Sequence, residues 1–532
     1  MIKKFFDKLL GKSASKTAIP PQMPASGTVS EATATPAEPV IGVRVEVPQS
    51  EHGINPALLD DRAIKVVTTL QDAGYEAYVV GGAVRDLLLG HRPKDFDVAT
   101  SATPEQVKSL FRRAFIIGRR FRIVHVVHGR GREHEVVEVS TFRAYLDASV
   151  AEQVAGNEKT SKSELAGKSH VVDASGRVLR DNVWGPQDED AARRDFTVNA
   201  LYYDPRRQIV VDYHHGLADA KKRLLRMIGD PVTRYREDPV RIIRVVRFAA
   251  KLGFEIEPGT RKPIRACADL LANVPASRLF DEMIKLLQTG HSLASLEELR
   301  KQGLHKGVFP ILDAVLDDAH QHDGREQFIQ RALSDTDRRV SEGKPVAPSY
   351  MLACMLWHDV QRRVEKLRAK GETPTPAMQQ ATDAVFDARI GDISGRGKLA
   401  ADMREIWLMQ PRFERRTPSS ALSLVEQPRF RAGFDFLRLR AESGEADIEL
   451  ARWWETFSTA NDATREDLLT DARVQDQARR VAGGAAAAAR GPAGESDAIA
   501  AGVPAPAARK RRRRRKPAGE RGAAPAADDA TS

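Results

Sequence analysis

Asp95 and Asp97 stand two residues apart in the run Asp95-Phe96-Asp97-Val98. In a β-strand the two-residue period puts both carboxylates on one face, roughly 7 Å apart along the chain, and turns Phe96 and Val98 toward the core. Two carboxylates so placed can share divalent metal ions, Mg²⁺ or Mn²⁺ in its place. In-line displacement on a nucleoside triphosphate develops charge on the attacking and leaving oxygens, and two such ions neutralise it. Just upstream, Gly81-Gly82 closes an apolar run and precedes Arg85-Asp86. Glycines let a backbone approach phosphate closely, and the N–H groups of a turn entering a helix near Val84 can meet a triphosphate. Alone, Asp-x-Asp reads as a solvated surface and Gly-Gly as a tight turn. Together they point to phosphoryl or nucleotidyl transfer.

These groups need elements to hold them. Residues 56–74 place Leu58, Leu59, Ile64, Val66, Val67 and Leu70 near helical period and stop at Gly74, and Tyr75–Val80 follows as a short strand. Thr103, Pro104 and Gln106 read as N-cap, N1 and N3 of a helix carrying Val107, Leu110 and Phe111. The stretches 118–129 and 134–143 read as strands, the second alternating around Val137 and Val139. Residues 144–182 are polar with little periodicity and read as a long mobile loop. Beyond it, Arg193-Arg194-Asp195-Phe196-Thr197-Val198-Asn199 offers guanidinium forks for phosphate oxygens. Its acid and amide can hold ribose hydroxyls or orient those arginines, while Phe196 and Val198 read as core.

In Glu237-Asp238-Pro239-Val240-Arg241 the proline suits the first helical position, with Asp238 as N-cap and Arg241 one turn on, four residues from Glu237. A capped helix with a local ion pair is one reading, compatible with a second. An arginine supplies only donors and an ionised aspartate only acceptors. A rigid Asp238–Arg241 pair therefore meets a ring nitrogen and its neighbouring exocyclic amine, as adenine and cytosine present them, and mismatches guanine and uracil. Arg244 and Arg247 extend a basic stripe opposite Ile242, Ile243, Val245, Val246 and Phe248.

Gly-Gly-x-Val-Arg-Asp followed by Asp-x-Asp resembles the signature of the class II template-independent nucleotidyltransferases, the bacterial poly(A) polymerases and CCA-adding tRNA nucleotidyltransferases. EDAARRDFTVNALYY at 189–203 and RYREDPVRIIRVVRFAAKLGF at 234–254 match in order and spacing, so that residues 60–310 carry the resemblance strongly. It implies a catalytic set of Asp95, Asp97, Glu138 and Asp195, with Glu138 completing a three-carboxylate metal site beside the aspartates. It implies nucleotide contacts from Gly81, Gly82, Arg85, Arg194, Asn199, Glu237, Asp238 and Arg241. The forms PKDFDVAT and GRRFR-x-x-H-V and the basic tail resemble the poly(A) polymerase branch, with ATP as substrate and RNA 3′ ends as partner. CCA addition is the alternative within the same chemistry, and a non-catalytic RNA-binding adaptor the alternative outside it.

The expected fold class is α+β: a small mixed-sheet nucleotidyltransferase head at 51–215, a helical neck at 216–275 and a helical RNA-binding body at 276–480. With 532 residues, 42% hydrophobic and 29% charged, the chain can bury more than one core. Residues 1–50 and 481–532 are rich in Ala and Pro and read as disordered, the second carrying eight consecutive basic residues, Arg509–Lys516. Two distant cysteines, Cys267 and Cys354, argue against a disulfide framework and suit a reducing cytoplasm. The amphipathic start MIKKFFDKLLGK reads first as a short helix docking on the protein or fraying, and otherwise as a weak contact with an anionic membrane surface. RNA-decay proteins are further expected partners. Trp357-His358-Asp359 reads as core rather than metal site, and His322-Asp323 lacks matching ligands.

Overall fold

The computed structural model describes residues 41–118, 122–129, 135–145, 152–154, 170–173, 178–316, 325–344, 346–390 and 396–489. Its strands are β1 (Val45–Pro48), β2 (Ala77–Val80), β3 (Asp97–Thr100), β4 (Ala114–Ile117), β5 (Ile123–His128), β6 (Glu135–Thr141), β7 (Glu152–Val154), β8 (His170–Asp173), β9 (Val178–Asp181), β10 (Leu201–Asp204) and β11 (Ile209–Asp212), followed by a short parallel pair at Leu224–Leu225 and Glu255–Ile256. Eight of them form one mixed sheet in the order β1-β11-β10-β2-β3-β6-β5-β4, antiparallel except where β3 runs parallel to β6.

Strand period sorts the faces. Val98, Val124, Val126, Val137 and Val139 point to one side and pack on Val66, Val67 and Leu70 of α1 (Asp61–Asp72) and Val107 of α2 (Pro104–Leu110). The other face is covered at one end by Tyr78, Phe142, Ala191, Tyr202 and Tyr213. At α2 the expected capping box is present: Gln106 N donates to Thr103 Oγ1 at 3.4 Å, and Thr103 N to Gln106 Oε1 at 2.8 Å. The expected helix over 56–74 is two elements instead. A 3₁₀ turn spans Pro56–Leu58, and Asp60 then starts α1 afresh by accepting the Arg62 N–H at 2.8 Å.

Other boundaries also differ from expectation. Within 1–50, β1 is ordered because Val45–Pro48 pairs antiparallel with Ile209–Asp212 along its whole length. Within 144–182, β7 pairs parallel with β8 and β8 antiparallel with β9, so the described part of that stretch is sheet. The final helix runs from Asp462 to Ala489, past 481, since a run of alanines propagates helix readily. The amphipathic start, His322-Asp323 and Arg509–Lys516 lie outside the described residues.

The described residues up to Arg465 form one compact unit, and Glu466 opens a second. Beyond β11 the first unit is helical, as expected, including Ala276–Leu287, Ser292–Gln302 and Pro348–Ala369. One apolar cluster joins Phe196 and Val198 to Ile242, Ile243, Val245 and Val246 and continues through Leu286 and Trp357 to Leu439. His358 and Trp357 both bond Glu445, at 2.7 and 3.1 Å, and Asp359 pairs with Arg389 at 2.7 Å, in keeping with a structural role. Cys267 and Cys354 are buried and unbonded. Among the described residues no helix is long and apolar enough to cross a membrane.

Candidate active site

Ladder pairing begins at Asp97, two residues later than alternation alone suggests, and Asp95 sits in the bend before β3. The alternation nevertheless holds, with Phe96 and Val98 buried and Asp95 and Asp97 open. Asp97 lies directly opposite Glu138 in the parallel pair, and Glu138 opposite His125 of β5, whose Nε2 is 3.3 Å from Glu138 Oε1. Directly opposed residues share a face. The Asp97 carboxyl is pushed up to about 6, first by the protein mass around the strand, then by Glu138, and further by Asp95, against the pull of Arg194. Among the described residues no group of three or more His, Cys, Asp or Glu side chains is arranged to hold a metal ion. The fold thus sets Asp97 and Glu138 on one face, with Asp95 in the bend just before β3.

Gly81 has φ 74° and ψ −127°, a conformation for glycine alone, and a Cβ there would lie 3.5 Å from Arg194 Nη1. Its N–H donates to Leu201 O at 3.0 Å, and the helix begins at once, at Gly82, two residues before the expected start. Arg194 donates to Asp190 Oδ2 at 3.0 Å and to the Tyr202 hydroxyl at 3.1 Å, with its guanidinium 5.2 Å above that ring. Tyr202 closes the triangle by donating to Asp190 at 2.8 Å.

A ladder of polar contacts runs alongside. Arg85, 2% exposed, donates to Asp86 Oδ1 at 2.7 Å and to Asn199 Oδ1 at 2.6 Å. Asn199 Nδ2 donates to Asp195 Oδ1 at 3.1 Å, and Asp195 Oδ2 accepts Arg244 Nε at 2.9 Å and Nη2 at 2.5 Å. Sequence reasoning expected Asp195 and Asn199 to hold ribose or orient the adjacent arginines. The structure gives Asp195 to Arg244 instead and Arg194 to Asp190. Burial opposes ionisation of Asp195, but the Arg244 charge and the hydrogen bonds from Arg244, Asn199 and the Phe196 amide outweigh it and hold the carboxyl at about 2.

The Glu237–Arg241 segment also departs from expectation. Asp238 ends the helix α3 (Pro231–Glu237) rather than capping the next, α4 (Val240–Leu252), whose N-cap position falls on Pro239. Arg278 donates to both Asp238 carboxylate oxygens, at 2.9 and 2.7 Å. Arg241 Nη1 donates to Glu237 Oε2 at 2.8 Å, which is the local ion pair, and to Arg234 O at 2.9 Å. Glu237 and Arg241 meet across the break between α3 and α4, where Asp238 is extended. Arg234 also binds Glu237, and its Nη2 donates to the carbonyls of Arg193 and Arg194 at 2.7 Å each, tying this segment to the one that carries Asp195. Burial, aided by Arg241, lowers the Arg234 pKa to about 10. The stripe arginines are engaged: Arg244 by Asp195, Arg247 by Glu282 at 3.4 Å, both stacked over Phe248. Asp190, Tyr202, Arg234 and Arg278 were missed. The first three lie inside the matched blocks, whereas nothing local marks Arg278.

Residues 77–226 match the family model of the poly A polymerase head domain, and 253–316 that described as "probable RNA and SrmB-binding site of polymerase A". Residues 370–517, which include Arg509–Lys516, match the polymerase A arginine-rich C-terminus. Poly(A) polymerase I of Haemophilus influenzae is 41% identical over 425 residues, 79% of this chain and 90% of its own. That of Escherichia coli is 38% identical over 454 residues, 85% and 93% of the two chains. A CCA-adding enzyme of Lactobacillus helveticus is 37% identical over 231 residues, 43% of this chain and 51% of its own. Among solved structures, a Bacillus stearothermophilus CCA-adding enzyme in complex with CTP aligns with a TM-score of 0.47 at 26% identity, covering 75% of this chain and 82% of its own. With relatives this similar over nearly their whole length, the chain belongs to the bacterial poly(A) polymerase family.

Proposed function

We propose that this enzyme adds AMP units from ATP to RNA 3′ ends without a template. The observation that carries the reading is Asp97 opposite Glu138 on an open sheet face, in a chain of this family. The RNA 3′-hydroxyl oxygen attacks the ATP α-phosphorus and gives up its proton to water; the new O–P bond forms as the bond to the bridging oxygen breaks and pyrophosphate leaves. Asp95, Asp97 and Glu138 are hard oxygen donors, and Asp97 lies directly opposite Glu138, so they suit a divalent ion, which we take to be Mg²⁺. When bound there, such ions neutralise charge on the attacking and leaving oxygens. Arg194, braced by Asp190 and Tyr202 beside Gly81, faces phosphate oxygens where the backbone leaves room. Asp195 and Asn199 act as positioning residues that keep Arg85 and Arg244 in place.

Base choice falls in this proposal to Asp238 and Arg241, the first held by Arg278 and the second by Glu237. Arg241→Ala removes a donor to the base and is expected to cost on the order of 1–3 kcal/mol of ATP discrimination. Arg278→Ala, which removes the bidentate clamp on the Asp238 carboxylate, should weaken discrimination less. Comparing kcat/KM for ATP with that for GTP and UTP checks both, and unchanged ratios in Arg241→Ala would remove the base-reading role.

The assay for the whole reading offers an unstructured RNA, and a transfer RNA lacking its 3′ end, each triphosphate in turn with Mg²⁺. Repeated addition of A alone is expected. A preference for CTP, or two Cs and one A followed by arrest, would make the enzyme CCA-adding, since cytosine presents the same edge. RNA binding with no incorporation would leave the adaptor reading.

The run Arg509–Lys516 is proposed to contact RNA phosphates without reading bases. Truncation before Arg509 should leave ATP selection unchanged and weaken RNA binding at low salt. Each lost phosphate contact should flatten the log–log salt slope by about 0.7. An unchanged slope would assign the run another role.

A further inference from the structure

The acid row does not stop at His125. In the antiparallel pair of β5 with β4, Phe115 lies opposite His125 and Ile117 opposite Ile123, while Ile123 lies opposite Ser140 of β6. Opposed residues share a face, so Asp97, Glu138, His125 and Phe115 form one line across four strands. The buried set Ala114, Val124, Val126, Val137 and Val139 confirms the parity by occupying the other face. On the acid face the far end is apolar and open: Phe115 is 56% exposed, Ile117 36%, and Val136 of β6 38%. The two exposed residues Arg112 and Arg113 directly precede β4.

We propose that Phe115, supported by Ile117, is the platform on which a base near the RNA 3′ end stacks while the terminal hydroxyl reaches the carboxylates. The proposal rests on the reading of the enzyme as extending RNA. Three features select single-stranded RNA as occupant. The platform is continuous with the acid row where the 3′ end must arrive, it is an aromatic face beside exposed arginines, and it lies at the right distance. Strands are spaced about 4.8 Å apart, so Phe115 stands about 10 Å from Glu138 and about 14 Å from Asp97, which at about 3.4 Å per stacked base is three to four nucleotides. Any base has a π-face, so the platform would grip a growing tail without demanding sequence, as repeated addition requires.

The full-length wild-type enzyme and its Phe115→Ala and Phe115→Tyr variants are compared in oligoadenylate extension with Mg²⁺ and ATP. Phe115→Ala should raise the KM for RNA about 5- to 150-fold, the range for a lost aromatic–base stack, with kcat at saturating RNA and KM for ATP near wild type. Phe115→Tyr should retain the wild-type KM. In a second readout, 2-aminopurine placed at each of the last five positions of the RNA should be quenched most at the third or fourth from the end, and this maximum should vanish with Phe115→Ala. An unchanged RNA KM in Phe115→Ala beside an active wild type overturns the platform alone. So does an unchanged KM accompanied by a lower melting temperature, which would make Phe115 a packing residue. So does an unchanged KM with an altered oligomeric state by light scattering, which would make β4 an edge for a second copy of the chain. A wild type that extends no RNA with ATP overturns the underlying reading instead.

Discussion

Asp97→Asn is expected to remove nucleotidyl transfer while leaving the metal-free protein at least as stable as wild type. The substitution keeps the volume of the side chain and deletes one negative oxygen from the row facing Glu138. Loss of a preorganised group that stabilises transition-state charge costs about a hundredfold or more in kcat. The stability side follows from the same charges. The Asp97 carboxyl titrates at about 6 rather than at its ordinary 3.8. A raised carboxyl pKa means that the folded state holds its proton more tightly than the unfolded chain, so ionisation weighs against folding. The burden is absent below pH 3.8, grows through that interval and is complete above 6. In chelator, melting temperatures of the two proteins should therefore converge in acid and separate above pH 6, with the variant higher. Substantial activity in Asp97→Asn with Mg²⁺ as the only metal would remove the assignment of this acid.

The Asp195→Ala variant is expected to lose about 3 kcal/mol of stability in urea unfolding, the lower end of the cost of breaking a buried ion pair, because Arg244 keeps some access to water. Asp195 is poised at about 2, below its ordinary 3.8, so it contributes stability that is whole above 3.8 and fades as pH falls toward 2. The variant should lack that acid limb. A double variant, Asp195→Leu with Arg244→Met, should recover much of the stability, since apolar replacements of a buried pair are commonly neutral or better. Its activity should not return. Asn199 loses the acceptor at 3.1 Å that fixes its amide, and with it the orientation that presents Oδ1 to Arg85. Full activity in the double variant would show that Asp195 only stabilises the fold.

What was legible in the sequence were features decided within a few residues. The alternation of Asp95, Phe96, Asp97 and Val98 follows from strand period and the Thr103–Gln106 box from capping chemistry, while the Glu237–Arg241 pair is local although a break at Asp238 interrupts the helix between them. Phe196 and Val198 were legible as core because apolar residues between charged ones need somewhere to go, and both are fully buried. The choice of ionic partner was not legible. Asp195 had Arg193, Arg194 and Arg244 to choose from, and which guanidinium arrives depends on how α4 packs through Ile242 and Val246 into the core shared with Phe196. Asp238 likewise went to Arg278, 40 residues away. Strand β1 escaped notice for the same reason, because its partner β11 lies far along the chain and its own residues show only a brief alternation.

The ladder through Asn199 and Asp195 spans 114 residues between Arg85 and Asn199 and a further 49 between Asp195 and Arg244. For a chain made from its N-terminus, this sets a timetable. At about 5–20 residues per second, Arg244 leaves the peptidyl transferase centre roughly 2–10 s after Asp195. Throughout that interval the nascent head has Asp95, Asp97 and Glu138 but lacks the Arg244 guanidinium that the folded structure gives the buried Asp195. The head therefore cannot settle until α4 arrives, and ribosomes paused between the two residues should carry a head sensitive to protease. Nascent chains paused beyond α4 should resist. The ladder from Arg85 through Asn199 and Asp195 is thus complete only once the helix that carries Arg244 has been made.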